Sequence, residues 1–107
     1  MSDNELVVRS PFDGSEVGRV PTGTAADVDR AVQRGRRAMT TEPLDQSERA
    51  AILDEAAHRL RSEEERLART IAAEAAKPLK TARVEAQRAV STFTFAAVEA
   101  RRLTGEM

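Results

Sequence analysis

Two hydrophobic periods divide the chain. In residues 5–21 the short runs ELVVRS and SEVGRVP flank PFDG. Pro11 suits the second position of a type I turn, and Gly14 can take the positive φ with which a loop re-enters a strand. The pattern predicts a two-stranded hairpin. Two strands alone are marginal in water, so they need a sheet or a helix layer to lie on.

From Thr24 the spacing turns helical. Thr24 with Asp27 approximates a capping box. Val28, Ala31, Val32, Ala38 and Met39 share one stripe, and Arg30, Arg34 and Arg37 share another. This first helix is expected over about 24–39, ending before TTEPL. Asp45 with Glu48 is the next cap signal. Ile52, Leu53, Ala56, Ala57 and Leu60 then make a second amphipathic helix over about 45–61. Ser62 before Glu63, Glu64 and Glu65 reads as a fresh N-cap with acidic residues where the helix dipole favours them. Leu67, Ala68, Ile71, Ala72 and Ala75 carry a third helix over about 63–76. A kink between the second and third helices fits the pattern equally well.

Pro78 cannot donate a backbone hydrogen bond and disfavours α geometry at Lys77, so the third helix must stop near Ala75 or Ala76. Pro78 then suits the first turn of a fourth helix, over about 78–104 with Gly105 as its stop. At about 1.5 Å per residue it would be close to 40 Å long. Leu79, Ala82, Ala86, Ala89, Phe93, Ala97 and Ala100 fall on one side of it, with Val84, Phe95 and Val98 roughly opposite. A helix apolar on two opposite faces belongs between two layers. The first three helices can cover one face. The other calls for the rest of a larger protein or a second chain; simple exposure is the competing reading, since scattered surface apolars are normal. The predicted fold is thus an α+β fragment, mostly α. A hairpin segment (1–22) and a helical segment (23–107) together form one partial domain.

Composition narrows the chemistry. The chain has 107 residues, with 17 basic against 18 acidic. That balance gives no pull toward nucleic acid or an anionic membrane. No apolar run approaches the ~20 residues of a membrane span. The acidic start MSDNELVV lacks a secretory core, so a cytoplasmic location is expected. There is no cysteine, hence no disulfide, thiolate metal site or cysteine nucleophile within these residues. His58, the only histidine, has no second ligand at metal-binding spacing and reads as a surface or boundary residue. The Arg30, Arg34, Arg37 stripe with Arg36 could meet phosphates, but arginines are favoured near a helix C-terminus anyway, and TTEPL is not the glycine-containing turn of a helix-turn-helix. Glu63, Glu64 and Glu65 could hold a cation but read better as first-turn dipole partners. No glycine-rich phosphate loop occurs. The expectation is no catalytic, cofactor-binding or metal site in this chain.

The order of motifs carries a resemblance. SPFDGSEVGRV, DVDRAV, ERAAIL and EAAKP follow one another in this sequence. They resemble the N-terminal segment of the aldehyde dehydrogenase superfamily, which opens with an N-P-x-x-G-E-x-[IV]-G hairpin. A D-V-x-x-A-V helix, an E-R-x-x-I-L helix and an E-x-G-K-P turn follow there. The likeness covers roughly residues 7–106. STFTFAAVEARRLTGE and Met39 look more like the lactaldehyde, phosphonoacetaldehyde and non-phosphorylating glyceraldehyde-3-phosphate dehydrogenase branch. Ala76 stands where the family usually has glycine. Either the turn here is not left-handed, or packing absorbs a cost on the order of 1 kcal/mol.

The resemblance implies part of the cofactor-binding domain of a larger α/β enzyme, an oxidoreductase that uses NAD or NADP to convert an aldehyde to a carboxylic acid. In that family a cysteine thiolate attacks the aldehyde and the adduct passes hydride to the nicotinamide. The cysteine, the glutamate base, the oxyanion asparagine and the glycine-rich nucleotide turn all lie further along. The chain by itself is therefore expected to be inactive and to bind no cofactor. Lys77 and Pro78 match the family's turn as a structural helix junction. The expected partners are the remainder of the parent enzyme or a second copy in a homo-oligomer, with no nucleic acid and no membrane. A non-enzymatic helical self-association or scaffold module is the alternative.

Overall fold

The computed structural model describes residues 4–103. Two strands and four helices occur in the order β1 (Glu5–Arg9), β2 (Glu16–Pro21), α1 (Ala25–Thr41), α2 (Gln46–Ser62), α3 (Glu64–Ala75) and α4 (Leu79–Arg102). They fall into two compact units, divided between Leu44 and Asp45.

In the first unit, β1 and β2 pair antiparallel. The register is Glu5 with Pro21, Leu6 with Val20, Val7 with Arg19 and Val8 with Gly18. It then shifts, so that Arg9 meets Glu16. Gly14 takes the positive φ, 74°, that its place in the turn suggested. Its N–H donates to the Ser10 carbonyl at 2.9 Å, which spans four residues and makes the loop wider than a three-residue-spaced type I turn. Asp13 holds the loop by accepting from the Ser15 N–H (2.9 Å) and hydroxyl (2.6 Å). Those bonds lower the Asp13 carboxyl pKa. Arg19 grips Glu16 through two bonds at 2.7 and 3.0 Å.

α1 opens on the predicted capping box. The Asp27 N–H donates to the Thr24 hydroxyl, and the Thr24 N–H donates to the Asp27 carboxylate at 2.8 Å. The helix runs two residues beyond the expected end at 39. Thr40 and Thr41 return their hydroxyls to the Arg36 and Arg37 carbonyls and stay helical. Pro43 then forces the preceding Glu42 out of α geometry, at φ −138°. α1 buries no residue.

The second unit is helical. Asp45 and Glu48 cap α2 reciprocally, at 2.8 and 2.9 Å. The break after α2 is a single residue, Glu63. Ser62 is not the N-cap of α3, contrary to the sequence reading. It completes α2 and turns its hydroxyl back to the Arg59 carbonyl at 2.8 Å, the local bond that competes with capping. α3 starts from Glu63 without a side-chain cap. Pro78 is also one position earlier than predicted. It is the N-cap of α4, extended at ψ 137°, and its carbonyl accepts the N–H groups of Thr81 and Ala82 at 3.0 Å. α4 runs to Arg102, a length of about 36 Å. The predicted end at Thr104 and stop at Gly105 lie outside the described residues.

α4 packs along α2 and α3. Its buried positions are Ala82, Ala86, Val90, Ala97 and Ala100. Val90 lies on the predicted stripe although it is absent from the predicted set, while Phe93 is exposed rather than buried. Ala50 and Ala57 of α2 and Ala68 of α3 complete the core. The core is therefore seven alanines and one valine among the described residues. Alanine at a helix contact permits close approach, but each methyl removes little apolar area from water. Leu67, Ile71, Ala72 and Leu79 pack half-buried around Ala68, Ala82 and Ala86.

Candidate functional site

The residues singled out in the sequence do not converge. His58 is exposed on α2. Asp54, one turn before it, is engaged by Arg101 of α4. Arg30, Arg34, Arg36 and Arg37 are exposed along α1, and Arg30 pairs with Asp27. Glu63 pairs with Arg66. Glu65 accepts hydrogen bonds from Nε and Nη2 of Arg83, each at 2.9 Å, and also meets Arg69 at 2.9 Å. The bonds from Arg83 hold the Glu65 carboxyl below its ordinary range and raise the arginine. Glu63 and Glu65 thus face cations of their own chain. No group of three His, Cys, Asp or Glu side chains suited to a metal occurs among the described residues.

The α3–α4 junction is the most constrained place. Ala76 adopts left-handed geometry, φ 51° and ψ 36°. It is the only non-glycine residue at positive φ among the described residues. The first of the two alternatives for this turn is therefore excluded, and alanine bears the strain, on the order of 1 kcal/mol. The left-handed residue ends α3, and Pro78 starts α4 two residues later. Lys77 sits between them and reaches Glu85 with its Nζ at 2.6 Å. Arg83 meanwhile joins α4 to Glu65 of α3. These contacts serve the helix junction; Glu65 and Arg83 also line an open surface hollow with Glu64 and Gln87, but there they are paired with each other.

No buried side-chain nitrogen or oxygen among the described residues lacks a hydrogen-bond partner. One open surface hollow is lined by Asp45, Gln46, Ser47 and Arg101.

What is unusual is the apolar surface. Phe95 on the far side of α4 is 70% exposed; Val98 one turn on and Val84, further back on the same side, are exposed too. The stripe predicted for α1 is open at Val28 (61%), Val32 and Met39 (73%). A periodic stripe on a helix is the ordinary mark of a face made for burial.

Comparison with known proteins gives the family. The model of the aldehyde dehydrogenase family matches residues 1–107, and the chain belongs to that family. It is 40% identical over 103 residues to aspartate-semialdehyde dehydrogenase 1 of Pseudomonas canavaninivorans, a match covering 95% of this chain and 22% of the relative. An aldehyde-dehydrogenase-like protein of Sinorhizobium fredii is 39% identical over 103 residues, 95% of this chain and 20% of that one. The crystal structure of an NAD-dependent aldehyde dehydrogenase from Sinorhizobium meliloti superposes with a TM-score of 0.89 at 30% identity, covering 95% of this chain and 21% of that one. The chain thus spans about a fifth of the length of the relatives it matches. The hairpin and four helices correspond to the N-terminal part of such structures. The relatives' names include aspartate-semialdehyde, malonate-semialdehyde and lactaldehyde dehydrogenases, so they do not single out one branch.

Proposed function

We propose that this chain is the N-terminal segment of an NAD(P)-dependent aldehyde dehydrogenase that oxidises an aldehyde to a carboxylic acid. The observation that carries the reading is the whole-length family match to about a fifth of each relative, joined to apolar helix faces that the chain does not cover. The segment's role is structural. Its hairpin and helices pack around the cofactor-binding domain, and the catalytic thiolate and the nucleotide site come from residues beyond these 107. By itself the chain carries no catalytic or cofactor site and is inactive. Its partners are the remainder of the enzyme and, through it, further copies in a homo-oligomer. Its place is the cytoplasm. No helix among the described residues is long and apolar enough to cross a membrane.

The reading is tested first in the DNA downstream of the Met107 codon. A frame continuing into a glycine-rich turn and a later cysteine and glutamate is expected. A stop codon directly after Met107 would overturn the enzymatic role. The purified 107-residue chain should also fail to reduce NAD⁺ or NADP⁺ with any aldehyde; measurable turnover would contradict its inactivity. A second reading, a self-association module, is favoured by one observation: α4 is apolar on two opposite faces and only one is covered. It requires the stop codon and a dimer that Phe95→Asp dissolves.

A further inference from the structure

We draw no further inference here: the strongest candidate, the outward apolar face of α4 at Val84, Phe95 and Val98, carries nothing beyond the proposed function because nothing in the structure shows what covers it.

Discussion

α1 and α2 both open on a reciprocal cap, Thr24 with Asp27 in one and Asp45 with Glu48 in the other, and both run 17 residues. α1 segregates its apolar residues far more sharply than α2 does. Yet α1 buries no residue, while α2 buries Ala50 and Ala57. Capping is local chemistry and works wherever the four residues occur. Burial needs a second surface. A sharp stripe therefore does not by itself produce burial. Within α4 the same contrast recurs between the alanine side, covered by α2 and α3, and the Val84, Phe95, Val98 side.

The largest effect is expected where α3 meets α4. Ala68 is fully buried beside Ala82 and Ala86, so Ala68→Leu must push the helices apart. It should lower the unfolding free energy of the helical unit by about 1–3 kcal/mol, read by urea titration of helical circular dichroism. An unchanged midpoint would mean that this contact is not formed.

The two caps provide the next comparison. Asp45→Ala should destabilise the unit from Asp45 onward by about 1 kcal/mol. Thr24→Ala should reduce protection of the α1 amides from hydrogen exchange while leaving the α2–α4 amides unchanged. Loss of protection in both units would break the distinction between them.

Ala76→Gly should stabilise by about 1 kcal/mol, because glycine takes the left-handed turn without the Cβ clash. A loss of stability would show that the turn relaxes from its φ of 51°. On the open faces, Val28→Ala and Phe95→Ser should change stability by no more than about 0.5 kcal/mol in this chain. In the whole enzyme the same changes should do more, as proposed for faces that its remainder covers.

The smallest effect concerns pH. Arg83 depresses the Glu65 pKa in the folded state. Its contribution is therefore full above the carboxyl's unfolded pKa and is lost as pH falls through the lower folded value. Glu65 is exposed, so the effect is small. Wild type should exceed Glu65→Gln in melting temperature near neutrality, with the gap closing in acid. A gap independent of pH would remove the ion pair as its cause.

Local chemistry made much of this fold legible. Two capping boxes and the proline of EAAKPLKT stand at the starts of α1, α2 and α4, and the glycine of the hairpin loop stands between the strands. Where a boundary was misplaced, a short-range bond decided it. The Ser62 hydroxyl chose the Arg59 carbonyl over a capping role, and Thr40 and Thr41 prolonged α1 through their own back-bonds. The inward face of α4 followed from its spacing, although Phe93 and Val90 exchanged roles. The motif order carried the family, because several spaced motifs in a fixed order record a shared fold more specifically than any single one.

By itself, then, the sequence determined the order and type of the elements, the family resemblance, and the absence of cysteine from these 107 residues. Only the tertiary structure decided which apolar stripes become core. Two faces of one helix look alike as patterns, and they differ only in whether another element stands close enough to exclude water. The structure also decided that Ala76 accepts a left-handed turn. Propensity disfavours that conformation by on the order of 1 kcal/mol, and the geometry of joining α3 to α4 outweighs it.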